Sequence, residues 1–280
     1  MDQNFARNNG GKYTYHSEEK TLIDREIVTR AFDQYTALYN ANDPKIKLKI
    51  DHTYRVAALC AKIARSTSIR NVDMAWLSGM LHDIGRFEQV KRYNTFVDAD
   101  SVDHAQLGAD MLFHDGLLEQ FKVGLSKTEK HILELCIRSH SAYHLSVGLN
   151  ETEASYCSVL RDADKIDIFR VNCDTPPEEI YNVSSEELKT SAVSEEVKDC
   201  FRNHTAVMRK LKKTAIDYIV GHVCLAFELV YPVSREIARE QGYVDRLLSF
   251  ESDNPDTKNW FEYMKNNIWS PVEQETDSCQ

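Results

Sequence analysis

Apolar residues recur at intervals of three and four through residues 22–38, 46–63, 72–84, 104–112, 132–140 and 154–169, the spacing of one buried face on a helix of 3.6 residues per turn. Alternation with a period of two is sustained nowhere, so the pattern predicts helices rather than sheet. Pro44 is the sole proline before Pro176, which leaves this front section free of the strongest helix breaker. The interruption is residues 85–103, a polar stretch with Arg86, Lys91 and Arg92 that reads as a long loop, with Asp100 or Ser101 placed to cap the helix after it. Past Phe169 the run VNCDTPPEEIYNVSSEE contains Pro176-Pro177 and several capping residues, so the chain is expected to leave a first bundle near residue 172. Further helices are predicted over 195–203, 212–231, 234–241 and 256–268, with Pro232 stopping or kinking the second of these. The tail VEQETDSCQ reads as frayed. The expected architecture is all-α, with a helical core over residues 20–172 and a helical extension over 173–280 packed on it.

A chain of 280 residues that is 42% hydrophobic can bury a real core. Its net charge of −10 is uneven: residues 1–170 hold 22 basic and 24 acidic side chains, and residues 171–280 hold 12 and 20. Such a surface repels a nucleic-acid polymer but leaves room for a small phosphorylated ligand in a local basic pocket. The seven cysteines are an odd number without a C-x-x-C pair. Cys60, Cys136 and Cys157 fall among apolar residues at helical spacing, as reduced thiols do, which fits the cytoplasm. Residues 1–20 contain no apolar signal-type run, and the longest apolar stretch, 215–233, is broken by Asp217, His222 and Glu228. No signal peptide and no membrane span are expected.

Titratable residues occupy stripes that should be core. His52 continues Val56, Leu59 and Ile63; His104 continues Leu107, Gly108, Met111 and Leu112; His140 continues Leu133, Cys136 and Ile137. His82 and Asp83 close the helix that buries Trp76, Leu77 and Met80. In the segment RDADKIDIF, Asp164 extends the stripe of Cys157 and Leu160 and points inward, whereas Asp162 extends Ser155 and Ser158 and points to solvent. One such histidine could be an ordinary core residue with a backbone partner. Four histidines and two aspartates facing one cavity form a ligand set for a divalent cation, since a buried carboxylate is costly without a partner. His144, four residues after His140, faces the same cavity if the helix runs that far. His16, His114, His131, His204 and His222 lack such stripes and read as structural or surface residues.

The order His52, His82-Asp83, His104, His140, Asp164, with the strings HDIG and ADKID, resembles the HD superfamily of metal-dependent phosphohydrolases. The resemblance covers roughly residues 48–170 and implies an HD-type helical bundle. It implies that His52, His82, Asp83 and Asp164 bind a metal, and that His104 and His140 are the additional histidines of binuclear members. The chain departs from the Gly-Tyr-Pro group of that superfamily: no such triplet follows HDIGRFEQ, and the later histidine stands as Ser139-His140-Ser141. No second catalytic domain and no nucleic-acid module is recognisable, so a small soluble substrate is expected.

Two divalent ions about 3.5 to 4 Å apart can share a carboxylate such as Asp83, lower the pKa of a bound water and clamp a phosphoryl centre. Hydrolysis of a phosphate ester or anhydride is the reaction that suits such a site. One or two ions of Fe, Mn, Zn, Ni or Co fit mixed imidazole and carboxylate ligands, with Mg in a single weaker site. By the same resemblance Lys165, next to Asp164, meets the substrate phosphate. Arg86, three residues after Asp83, could take a pair of phosphate oxygens, or either cation could be a salt-bridged surface charge. Asp167 could orient Lys165 or the ring of a ligated histidine. The expected activity is metal-dependent phosphohydrolysis of a nucleotide or other small phosphorylated metabolite. The alternative is a silent module of the same fold that binds a nucleotide or second messenger as a sensor.

Overall fold

The computed structural model describes residues 23–176 and 183–270, and among them every regular element is helical. The chain runs α1 (Arg25–Thr36), α2 (Pro44–Ala64), α3 (Val72–Leu81), α4 (Ile84–Tyr93), α5 (His104–Phe113), α6 (Lys127–Ser139) and α7 (Glu151–Asp174). After residue 182 come α8 (Ser185–Thr190), α9 (Glu195–Arg202), α10 (Ile216–Val223), α11 (Pro232–Gln241), α12 (Tyr243–Leu248) and α13 (Pro255–Asn267). Local chemistry sets the starts. Asp24, Asp43, Asn71 and Asp103 accept from first-turn backbone N–H groups of α1, α2, α3 and α5. Ser126 with Glu129, and Asn150 with Glu153, form capping boxes at α6 and α7.

The 24-residue helix α7, about 36 Å long, is the spine of the fold. It packs against α2, α3 and α6 and also against α11 and α12, so Tyr156, Val159, Leu160, Ala163, Ile166 and Phe169 are all buried. Near its C-terminus Arg246 donates to Asp174 and to the Cys173 carbonyl, both at 2.9 Å, tying α12 to the spine.

Three sequence expectations need correction. Residues 84–93 are helical rather than a loop: Ile84, Phe87 and Val90 form a buried stripe, and Phe87 packs edge-on against Phe32 and Tyr35. The polar residues between them concealed that stripe. The cap of α5 is Asp103, not Asp100 or Ser101. The helix expected over 212–231 is broken, because Asp217 accepts from the backbone N–H groups of Ser194, Lys213 and Thr214 and holds residues 213–214 outside the helix. α10 therefore starts at Ile216, and the chain tightens into a 3₁₀ turn over Cys224–Glu228. Pro232 begins α11, in the first turn where its missing N–H costs nothing. The tail 272–280, His16 and residues 177–182 lie outside the described residues.

Two close helix crossings position the next level of structure. A Cβ on Gly79 would sit 2.6 Å from the Ala57 Cα, so α3 lies directly against α2. A Cβ on Gly85 would lie 2.3 Å from the His104 carbonyl oxygen and 2.6 Å from the Gly108 nitrogen. The first turn of α4 therefore touches the first turn of α5, which brings His104 beside Asp83.

Candidate metal centre

The break between α3 and α4 falls at His82-Asp83. Asp83 occupies the cap position of α4 but makes no capping hydrogen bond, so its carboxylate is free to face inward. There the two oxygens meet different partners. Oδ2 lies 3.6 Å from His52 Nε2 and 3.5 Å from His82 Nε2; Oδ1 lies 3.4 Å from His104 Nε2 and 3.6 Å from His140 Nε2. Asp164 Oδ1 closes the first pair, 3.1 Å from His52 and 3.8 Å from His82. All four imidazoles and Asp83 are buried. The six residues singled out by their apolar stripes thus converge.

The outer ring nitrogens fix the chemistry of the inner ones. His82 Nδ1 lies 2.7 Å from the Gly79 carbonyl and His140 Nδ1 2.7 Å from the Ile137 carbonyl. His52 Nδ1 lies 2.6 Å from Asp167 and His104 Nδ1 2.8 Å from Asp98. Each of these partners only accepts, so each Nδ1 carries the proton and each neutral ring presents a bare Nε2 lone pair. Those lone pairs face one another, His52 to His82 at 3.3 Å and His104 to His140 at 3.0 Å. Acceptor against acceptor, with two carboxylates alongside, is a repulsive arrangement that a cation resolves. The donor set fits a divalent transition metal: ligand atoms of His52, His82 and Asp164, and of His82, Asp83 and His140, each lie within 4.8 Å of one another.

Protons are poor substitutes for that cation. Burial pushes His82 down to about 4 against the pull of Asp83 and Asp164. Burial and the nearby Arg86 charge push His104 down to about 4 despite Asp98. His52 alone is raised, since its carboxylate neighbours Asp164 and Asp167 outweigh burial and Lys49. Asp83 is buried and Asp164 half-buried, yet both are held below the usual carboxylate range, Asp83 chiefly by Lys49 and His82 and Asp164 by His52 and His82. The folded, metal-free protein should therefore lose stability as pH falls from about 6.5 toward 4, because His82 and His104 stay neutral while the unfolded chain takes up protons near its ordinary value of about 6.5. His52 opposes this with one group against two. Urea midpoints at pH 7 and pH 5 in chelator check the sign; an equal or higher midpoint at pH 5 would contradict it.

Supporting residues surround the cluster. Asp167 also accepts from Arg55 Nε at 2.6 Å and Nη2 at 2.9 Å, which fixes the carboxylate that holds His52. Asp98 is clamped by Arg86 Nη1 and Gln89 Nε2, both at 2.8 Å. Arg86 also donates to Gln89 and to the Phe96 carbonyl, while its buried Nε has no hydrogen-bond partner and lies 3.6 Å from Asp83 Oδ1. Arg86 is thus held inside the site rather than out in a loop. Lys165 Nζ lies 3.4 Å from Glu228, a partner supplied by the C-terminal extension.

Sequence reasoning missed Lys49, whose Nζ lies 2.6 Å from Asp83 Oδ2. Its signal was present: Lys49 stands one helical turn before His52 on α2 and shares its face. Asp98 was missed because residues 85–103 read as a loop. Asp162 requires correction. It is buried rather than solvent-facing, and accepts from the backbone N–H groups of Val230 and Tyr231 at 3.0 Å. The extension covers the face of α7 that a wheel drawn on one helix leaves in solvent. Asp162→Ala should lower stability by about 1 kcal/mol or more, from two part-buried backbone donors left without their acceptor, without changing metal content; Asp164→Asn should do the reverse. Denaturant titration and elemental analysis of both variants separate the roles. His144 is corrected as well: α6 ends at Ser139, and His144 lies exposed in the following loop. His114 and His131 are exposed, and His204 stacks on Phe227.

A family model for the HD domain matches residues 50–169, from within α2 to Phe169 in α7. Residues 50–169 therefore form an HD domain. The matched span holds His52, His82-Asp83, His104, His140 and Asp164, so the HD domain contains the cluster able to hold a cation, within a family of metal-dependent hydrolases. Among solved structures, a predicted HD superfamily hydrolase from an uncultured Thermotogales bacterium is 20% identical, covers 80% of this chain and 88% of its own, and has a TM-score of 0.38. A likeness that low bears on neither mechanism nor substrate. A search of curated proteins finds no match. Among the described residues of this HD protein, no helix is long and apolar enough to cross a membrane.

Proposed function

We propose that this HD protein is a metal-dependent phosphohydrolase that cleaves a phosphate ester or anhydride of a nucleotide or other small phosphorylated metabolite, in the cytoplasm. The observation that carries the reading is the convergence of four bare Nε2 lone pairs on the two oxygens of Asp83, pair against pair. On this reading His52, His82, Asp83 and Asp164 would hold one divalent ion, and His104 and His140 would help to hold a second. Such ions supply Lewis acidity and a water of lowered pKa.

The remaining work falls to this chain's own side chains. Asp167 and Asp98 fix the tautomers of His52 and His104 and raise their basicity. Lys49, Arg86 and Lys165 are the cations placed to meet phosphate oxygens: Lys49 and Arg86 beside Asp83, Lys165 beside Asp164 in sequence. Arg86 is pre-ordered by Asp98 and the Phe96 carbonyl, so its guanidinium loses little freedom on binding an anion. The core over residues 20–172 supplies the metal ligands, and the extension over 173–280 supplies Glu228 to the rim.

The test is a screen of metal-loaded full-length protein against nucleotides, cyclic dinucleotides, dinucleoside polyphosphates and sugar phosphates, read as phosphate or nucleotide released. Chelator-sensitive turnover of at least one class is expected. Binding of a nucleotide by the metal-loaded protein with no turnover of any class would favour the sensor instead.

A further inference from the structure

Cys136 on α6 and Cys157 on α7 are both buried, and their sulfurs stand 3.6 Å apart. Neither belongs to the His/Asp cluster, yet both stand close to it along the chain. Cys136 lies one helical turn before His140, and Cys157 lies one turn before Arg161 and two turns before Asp164. Packing explains only part of this placement. A buried thiol serves as a small hydrophobe anywhere in a core, but two thiols in contact across a helix pair are also the two halves of a disulfide.

The contact is held from both sides. α6 and α7 pack against each other, and Leu133 and Ile137 on one helix and Leu160 on the other, which flank the thiols in sequence, are fully buried. Ser139 Oγ lies 3.7 Å from Cys157 Sγ, and Ser139 is only half-buried, so Cys157 adjoins a residue that solvent reaches. Cys157 is held below its ordinary value by the contact with Cys136, against burial, with help from Ser139 and the Arg161 charge. Cys136 is pushed up by the same contact and by burial. The pair is therefore asymmetric, with Cys157 the better nucleophile and Cys136 the second thiol.

Closing the pair has a mechanical consequence. A disulfide needs sulfurs about 2 Å apart, so the two must approach by roughly 1.5 Å from their present 3.6 Å. A close-packed interior passes such a shift on rather than absorbing it. His140 is the first residue in line. It follows Cys136 by one turn, and its carbonyl accepts at 3.2 Å from Nη1 of Arg161, one turn beyond Cys157. Drawing α6 toward α7 displaces both ends of that hydrogen bond, and with them the imidazole whose Nδ1 is fixed by the Ile137 carbonyl.

We propose that Cys136 and Cys157 form a redox-sensitive site, which a peroxide closes to a disulfide that ties α6 to α7 and weakens metal binding beside His140. The effect on metal rests on the cation-binding reading of the cluster; the disulfide itself does not. The Cys157 sulfur attacks one oxygen of hydrogen peroxide, the O–O bond breaks, and the departing hydroxide takes the thiol proton and leaves as water, giving a sulfenic acid. The Cys136 sulfur then attacks the sulfenic sulfur, the S–O bond breaks, and hydroxide leaves with the Cys136 proton as a second water. Two thiols lose two electrons in all, and one peroxide is reduced to two waters. In a reducing compartment such a disulfide is transient, reopened by a small thiol.

The test uses full-length, zinc-loaded protein, because zinc is itself neither oxidised nor reduced by peroxide. It is treated with hydrogen peroxide and read by intact mass, by unreduced tryptic peptides and by the zinc it yields to a chelator. Expected are the loss of two hydrogens, a cross-link joining the Cys136 and Cys157 peptides, and zinc held about tenfold less tightly, all reversed by dithiothreitol. Cys136→Ser and Cys157→Ser should each hold zinc as the parent does and lose the response, while Cys60→Ser keeps it. A circular dichroism melt verifies folding, and the alanine variant replaces a serine variant that does not fold. Thiols at 136 and 157 that stay reduced, or that oxidise separately to sulfinic acids, overturn the site. A cross-link that leaves zinc affinity unchanged overturns its hold on the cluster. Reduced protein that takes up no zinc removes the metal reading instead, with the cross-linked peptides still deciding whether the disulfide forms.

Discussion

Asp83→Ala is expected to empty the cluster of metal and abolish hydrolysis. Its two oxygens face different imidazole pairs, so its loss removes a ligand from both sides at once, whereas His52, His104 or His140 serves one side. The supporting carboxylates offer an internal scale. Loss of a hydrogen bond to a metal-binding histidine costs roughly 10–100-fold in affinity or activity, and Asp167→Asn should fall in that range because it loosens His52 without removing it. Asp83→Ala should exceed it, with bound metal falling below one per chain. The fold should survive, since Asp83 caps no helix. Elemental analysis and a chelator titration of the parent and both variants check the order. Asp83→Ala with full metal content would sink the assignment.

The second large effect concerns stability. Gly85→Ala should destabilise the protein by about 2 kcal/mol or more and reduce metal held on the His104–His140 side. Two effects compete. Alanine in a helix is favoured over glycine by about 1 kcal/mol, but overpacking typically costs about 1–3 kcal/mol and more when the obstacle cannot move. Here the added carbon would meet the His104 carbonyl at 2.3 Å and the Gly108 nitrogen at 2.6 Å. Both are backbone atoms, so no side-chain rotation relieves the clash and α5 must shift, taking His104 with it. A denaturant midpoint equal to that of the parent would show that the α4–α5 contact is looser than described.

What was legible in the sequence follows from how local each feature is. The ligand stripes could be read because each depends on one helix: His52 with Val56, or His140 with Cys136 and Ile137, needs only the 3.6-residue period. Helix α4 was concealed because its stripe of Ile84, Phe87 and Val90 is narrow, carries Arg86, Glu88 and Gln89 between its members and is followed by Lys91 and Arg92. Asp162 was misplaced because its partners, Val230 and Tyr231, lie nearly seventy residues on, and no wheel drawn on α7 contains them. The same limit hid Glu228 as partner of Lys165, a contact that exists only once the extension folds back on the core. Lys49 was legible but carried no alarm, since a lysine one turn from a buried histidine is usually solvated.

The central claim is that the converging Nε2 atoms and Asp83 hold divalent metal, and an anomalous-difference map from crystals of manganese-loaded protein tests it most directly. The account predicts a peak about 2 Å from His52 Nε2, His82 Nε2 and the Asp164 carboxylate, and a second beside His104 Nε2, His140 Nε2 and Asp83 Oδ1. A map with no peak inside the cluster, from crystals that hold manganese elsewhere, would contradict it.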